Sequence, residues 1–330
     1  MEQKNLKEDL NNIAQKVELR ETQLLDFLAV IDRKEIKDKN KLIRAAGIPK
    51  ATINKILEEL KEYLEPLGQS AQFRPEWQQE IHKLLAKSSK ENSQYLEEKI
   101  CALFASLRNK KPLPKRQYDQ FYATDQTTAK RALTISRNGD LDGRKIALLG
   151  DDDLTSVACA LTGTAEKITV LEVDGDIIEL IEETSQNLNL GIETIKLDLR
   201  DKLPPELARQ YDTVFTDPPY TPAGISLFLN SALFLLKKSP LSRIYFCCGG
   251  SNRAREKELI IQKIVNEKGL LIKEKFSDFN HYHGAQSIGS TSSLYVCDWT
   301  TAARGTPPPN LPIYTFQQQK EMNRKRKKPF

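Results

Sequence analysis

Two different periods of apolar residues divide the chain. Up to about residue 107 they recur every three or four positions, the period of an amphipathic helix. Leu24, Leu25, Leu28 and Ile31 predict a helix over 21–31, and Ile53, Ile56, Leu57 and Leu60 another over 49–64. Between them lies a short helix over 39–46 that Gly47 ends, and further helices are predicted over 75–87 and 93–107. No strand is expected before Glu65-Pro66. From Lys145 onward the pattern becomes short apolar runs alternating with helical stretches, as in a parallel sheet. Strands are predicted over 145–149, 168–173, 193–197, 212–215 and 243–247, with helices over 155–161, 176–188 and 225–238. Two last runs, 270–276 and 293–299, read as an antiparallel pair closing a seven-stranded sheet.

A strand, a glycine turn and a second strand ending in an acid about 22 residues after that glycine is a dinucleotide-fold arrangement. The terminal hairpin moves the expectation from a nicotinamide enzyme toward an S-adenosylmethionine-type transferase. The fold class expected is therefore α/β, with a Rossmann-like seven-stranded sheet after a helical, winged-helix-like N-terminal domain. The segment 108–116, with two prolines and five basic residues, disfavours helix and marks a boundary. The expected domains are 1–110 (N-terminal), 111–120 (linker), 121–300 (catalytic) and 301–330 (flexible basic tail).

Composition narrows the function classes. At 39% hydrophobic and 29% charged residues, the 330-residue chain has the make-up of a globular protein of two or three domains. No apolar run reaches the roughly 18 residues of a membrane span, and residues 1–12 lack the apolar core of a secretory signal. A cytoplasmic protein is expected. Five cysteines without a C-x-x-C pair, with three histidines, outline no zinc site, so no metal is predicted. His281 and His283 flank Tyr282 in a segment expected to border the acceptor site.

The net charge of +5 sits in the tail. Residues 320–330 hold six basic residues against Glu321, which leaves 1–319 neutral. The pair of helices around Gly47, with Lys50, Thr52, Asn54 and Lys55 opening the second, has the outline of a helix-turn-helix. Over 1–110, however, 20 Lys and Arg face 18 Asp and Glu, so the basic face of a DNA reader is missing. A packing or dimerisation module fits better, and a homodimer is expected. Nucleic-acid binding is possible but unsupported.

Chemistry concentrates at the predicted strand ends. Glu172 is the candidate ligand for ribose hydroxyls, and Asp198 is placed to accept from an adenine amino group; the alternatives are a solvated strand-end acid for Glu172 and a plain turn residue for Asp198. Asp217-Pro218-Pro219-Tyr220 follows a hydrophobic strand, as in amino-directed methyltransferases. A nitrogen attacking a sulfonium carbon gains positive charge, which an acidic side chain and an aromatic face stabilise. Asp119, in an aromatic and acidic segment before the catalytic domain, is a further candidate for the acceptor site, along with Pro218 and Tyr220.

The loop after the first strand is Gly150-Asp151-Asp152-Asp153, where such loops usually carry further glycines. The donor's methionine half carries a carboxylate, and a like-charge contact near 4 Å is worth roughly 4 kcal/mol at an effective dielectric of 20. An acidic loop is better matched to decarboxylated S-adenosylmethionine and to a cationic acceptor such as a polyamine.

The segments "LLGDDDLTS", "LEVDGDIIE" and "FTDPPYT" resemble the branched-chain polyamine synthase family, the N4-bis(aminopropyl)spermidine synthases of thermophilic archaea and bacteria. The resemblance implies transfer of aminopropyl groups from decarboxylated S-adenosylmethionine to the central secondary nitrogen of spermidine, with release of methylthioadenosine. It further implies an essential aspartate in the acidic loop, for which Asp152 is favoured by position and Asp151 and Asp153 are close alternatives. Asp217 joins these as a catalytic candidate. "LEVD" also resembles the E-x-D of linear spermidine synthases, which adds Asp174 to Gly150, Glu172 and Asp198 as donor-binding residues. Two other readings stay open. One is an amino-directed methyltransferase acting on nucleic acid or protein, and the other is a transcriptional regulator with a ligand-sensing domain.

Overall fold

The computed structural model describes residues 6–32, 39–65, 72–87, 90–249, 255–284, 290–307 and 312–315. The basic run 320–330, with most of the expected tail, lies outside the described residues. The chain forms two compact units, Met1–Tyr95 with Arg137–Gly139, and Leu96–Ser136 with Asp140–Phe330.

In the first unit, α1 (Leu6–Lys16), α2 (Glu21–Asp32), α3 (Lys39–Ala46), α4 (Lys50–Glu59) and α5 (Pro75–Lys87) surround one apolar cluster. Leu10, Leu24, Leu28, Ile53 and Ile56 are its fully buried members, spaced as the helical period requires. The bridge Leu64↔Phe73, with Glu65 N–H donating to Gln72 O at 2.8 Å, forms a short β ribbon after α4, where a wing would stand. The apolar pattern gave no sign of this ribbon because it is only one bridge long. Helix α6 (Lys90–Leu107) leads into the second unit.

The second unit is built on a sheet in the order β3-β2-β1-β4-β5-β7-β6. Its strands are β1 (Lys145–Leu149), β2 (Lys167–Glu172), β3 (Ile192–Lys196), β4 (Thr213–Thr216), β5 (Arg243–Cys248), β6 (Leu271–His281) and β7 (Thr291–Asp298). The first five are parallel, and β7 runs antiparallel to both β5 and β6. Successive side chains of a strand face opposite ways. Ile146 and Leu148 thus join a core with α7 (Asp125–Arg137), α8 (Thr155–Thr162) and α9 (Gly175–Leu188), whereas Ala147 and Leu149 join another with α10 (Pro222–Leu235) and α11 (Arg255–Glu267). Helices on both faces explain why β1, β2, β4 and β5 are buried along almost their whole length, whereas the edge strand β3 is not.

The strand order reverses between β1 and β4, and a crevice opens there at the carboxyl ends of the strands. The loops after β1 and β4, Gly150–Asp153 and Asp217–Tyr220, meet at that point. The seven strands agree with the predicted ones, except that β6 runs five residues further, to His281. Its pairing with β7 shifts register between Phe276 and Asn280, a bulge that re-aims the end of the strand. No helix among the described residues is long and apolar enough to cross a membrane.

Candidate active site

A cavity of about 920 Å3 occupies the crevice, lined among others by Gly150, Asp152, Glu172, Asp198, Asp217 and Tyr220. Asp119 and Pro218 line it too. The structure therefore brings eight of the predicted site residues to one cavity. Asp151, Asp153 and Asp174 do not line it, and each has a specific engagement instead.

The three loop aspartates are sorted by backbone shape. Gly150 (φ +69°) and Leu154 (φ +58°) bracket them in the left-handed region, which for a buried leucine stores on the order of 1–3 kcal/mol of strain. Asp151 turns back to cap α8, accepting from Ser156 Oγ at 2.5 Å and Ser156 N at 3.2 Å. Burial pushes its carboxyl up to about 7, against the pull of these bonds. Asp153 is also buried, accepting from Ala123 N at 2.6 Å and from Arg131 Nη1 at 2.7 Å. Asp152 faces the cavity half-buried, with no hydrogen-bond partner among the described residues. Burial and the carboxylates of Asp153, Glu172 and Asp217 push its carboxyl well above the usual range, with Lys111 opposing.

On the donor side, Glu172 Oε1 accepts from Val173 N and Asp174 N, and Oε2 from Asp151 N, all at 2.8 Å. Three of about four lone-pair sites are thus filled, leaving room for one ribose hydroxyl rather than the two expected. Burial raises its pKa against these bonds. Asp174 is the N-cap of α9, and its carboxylate accepts from Lys115 Nζ at 2.5 Å and Gln120 Nε2 at 3.0 Å. Although burial opposes it, Lys115 with these hydrogen bonds holds the carboxyl below its usual range. Asp174 does not line the cavity and instead fixes the 115–120 segment against α9. Both oxygens of Asp198 are taken by Arg200, whose hydrogen bonds lower the pKa of the carboxyl. An adenine amino group would have to displace that guanidinium.

The acceptor side is a polar network unseen in the sequence. Arg131 of α7 is fully buried and spans the site, with Nη2 donating to Asp217 Oδ2 at 2.6 Å and Nε to Asn280 Oδ1 at 2.8 Å. Tyr220 OH donates to Asp217 Oδ1 at 2.8 Å and Tyr282 OH to Asp217 Oδ2 at 2.7 Å. Burial raises the Asp217 carboxyl, with Arg131 and both tyrosines opposing. The bulge in β6 is what carries Asn280 and Tyr282 into the network. Residues 122–124 pair beside them, through Thr124 N to His281 O and His283 N to Tyr122 O, both at 2.8 Å. The two histidines border the site without lining the cavity. Asp119, itself in the left-handed region (φ 55°), accepts from Thr315 N, which ties residues 312–315 to the cavity rim.

Gly249, at the end of β5, packs against the Tyr220 ring. A Cβ built there would lie 2.7 Å from Tyr220 Cδ2. Gly249→Ala is expected to push Tyr220 off Asp217 and lower turnover on the order of 100-fold, as ångström-scale misplacement does. Circular dichroism that shows a folded variant, with kinetics at saturating substrate, checks this.

Fold and site together define a Rossmann-like α/β domain with an acidic cavity at its switch point. Residues 99–302 match the model of the branched-chain polyamine synthase A C-terminal domain, and the chain belongs to that family. It is 32% identical over 307 residues to "Uncharacterized protein MJ0675" of Methanocaldococcus jannaschii, covering 86% of this chain and 76% of that protein. It is 35% identical over 181 residues to the N(4)-bis(aminopropyl)spermidine synthase of the same organism, covering 54% of this chain and 51% of that one. The chain thus spans about half the length of the named synthase. The crystal structure of the branched-chain polyamine synthase from Thermus thermophilus, in complex with N4-aminopropylspermidine and 5'-methylthioadenosine, superposes with a TM-score of 0.57 at 22% identity, over 94% of this chain and 96% of that one.

Proposed function

We propose that this protein transfers aminopropyl groups from decarboxylated S-adenosylmethionine to the central secondary amine of spermidine, giving N4-aminopropylspermidine and then N4-bis(aminopropyl)spermidine. The observation that carries this reading is Asp152, an unpartnered carboxylate on the cavity wall at the switch point, between the Glu172 end and the Asp217–Tyr220 end. Family membership and the two molecules bound in the Thermus complex point the same way.

Only an amine with a free lone pair can attack. With an amine pKa of about 10, roughly one nitrogen in a thousand is free near neutral pH, which costs about 4 kcal/mol. A carboxylate held above the usual range is matched to take that proton. The nitrogen lone pair then forms a bond to the propyl carbon attached to sulfur, the carbon–sulfur pair goes to sulfur, and methylthioadenosine leaves. Asp152 passes the first proton to solvent and then takes the remaining N–H proton from the tertiary ammonium, which frees the lone pair for the next transfer. A second transfer to the tertiary product gives a quaternary ammonium, for which the Tyr220 and Tyr282 rings supply aromatic surface. Decarboxylated donor is preferred because a donor carboxylate would meet Asp152.

Methylthioadenosine is expected to accumulate when the protein is incubated with spermidine and decarboxylated S-adenosylmethionine. S-adenosylhomocysteine formation from S-adenosylmethionine, with no methylthioadenosine, would overturn the proposal in favour of a methyltransferase. We assign the working form to a homodimer in the cytoplasm, consistent with five cysteines that are all free thiols.

A further inference from the structure

We infer that Arg131 is a positioning residue: it keeps Asp217 ionised and occupied, so that Asp152 alone at the switch point is open to a substrate proton. The inference deepens the proposed reaction and rests on it for the identity of the substrate, but not for the state of the two carboxyls.

The geometry is specific. Arg131 is 0% exposed, and its guanidinium donates to carboxylates from two different loops, Asp153 at 2.7 Å and Asp217 at 2.6 Å. Its orientation is fixed from behind, because Asn280 accepts from Nε and passes its own amide N–H to Ser292 Oγ at 2.9 Å. The Phe215 ring lies against the cation, with Cζ 5.4 Å from the centroid. A planar fork with several donors can serve two carboxylates and an amide at once, which a lysine ammonium cannot do in this geometry. Asp217 then receives three donors, from Arg131, Tyr220 and Tyr282, all of which favour its charged form. Asp152 receives none.

The charged and titratable groups around the pair come from every wall. Arg131 stands on α7, Asp152 and Asp153 on the loop after β1, and Glu172 at the end of β2. Asp217 and Tyr220 follow β4, Cys247 lies on β5, Tyr282 follows β6, and Lys111 lies in the segment before α7. One buried cation thus faces two carboxylates in direct contact, and Asp152 and Glu172 lie outside that contact. A cationic amine entering the cavity meets one carboxylate with no donor on it among the described residues, beside one whose oxygens already accept from Arg131, Tyr220 and Tyr282.

Aspartate labelled with 13C at the carboxyl, titrated by NMR in the full-length protein without substrate, tests this directly, with Asp152→Asn and Asp217→Asn used for assignment. In the wild type, Asp152 is expected to titrate at higher pH than Asp217; the reverse order would overturn the inference. In Arg131→Gln, the Asp217 carboxyl is expected to titrate about one pH unit higher or more. If that variant does not fold, Arg131→Gln with Asp153→Asn removes one charge of each sign and carries the same test. An unchanged Asp217 titration in a folded variant would reduce Arg131 to a structural residue. Because no substrate is present, these outcomes are separate from the methylthioadenosine assay. A wild type with the expected titration order and no methylthioadenosine would sink the substrate assignment and leave the positioning role standing.

Discussion

Asp152→Asn is expected to lower methylthioadenosine formation by about 100- to 10,000-fold, the range for loss of a general base, and at the same time to make the protein more stable. The second half follows from linkage. The Asp152 carboxyl is held above its unfolded value by burial and by neighbouring carboxylates. A group raised in this way contributes stability below its unfolded pKa, and that contribution is lost as pH rises through the folded value. At pH 8 the raised carboxyl is therefore a cost that asparagine removes. The urea midpoint of Asp152→Asn should exceed that of the wild type at pH 8, and the gap should close as pH falls toward about 4. The acidic limb of the wild-type rate profile should be missing from the residual activity of the variant. A variant of unchanged stability and full activity would remove Asp152 from the mechanism.

The next residue should behave in the opposite way. Asp153→Ala removes a bond from Arg131 and leaves the buried Ala123 N–H without its acceptor. A charge-assisted hydrogen bond and a stranded donor together correspond to about 3 kcal/mol. Equilibrium unfolding of Asp153→Ala should show this loss at every pH where the carboxylate is ionised. A loss below about 1 kcal/mol would mean that water or a shifted Arg131 replaces both contacts. Two adjacent aspartates, one lowering stability and the other raising it, separate the working residue from the structural one more sharply than activity assays would.

Much of this was legible in the sequence, for reasons that can be named. Strands β1, β2 and β5 are apolar runs between turn residues, and a sheet covered on both faces imposes that pattern. The switch point follows from strand order, so the meeting of the Gly150–Asp153 and Asp217–Tyr220 loops was foreseeable once the order was guessed. The charge argument on the acidic loop treated three aspartates alike. The structure leaves one of them facing the cavity, because capping of α8 takes Asp151 and Arg131 takes Asp153. Asp174 was aligned with a donor ligand by its spacing from Glu172; the same position is the N-cap of α9, and its oxygens accept from Asp176 N, Lys115 and Gln120. Arg131 carried no local signal. It lies between the expected linker and the first predicted strand, where no element was predicted, and its partners come from loops and a bulged strand far along the chain. Tyr282 was passed over for the histidines on either side, since the register shift in β6 that turns it inward has no signature in apolar periodicity.

The partners of Arg131 lie 22, 86 and 149 residues further along the chain, at Asp153, Asp217 and Asn280. Loop closure over such spans precedes the contacts that reward it, so these bonds belong to the late part of folding. Until β6 has added to the far side of β7, the guanidinium lacks its Asn280 partner and Asp217 lacks the Tyr282 hydroxyl. A chain that has assembled only β1 to β5 therefore lacks two of the groups that hold Arg131 and Asp217 in place. The polar network at the switch point is complete only once β6 and β7 have both docked.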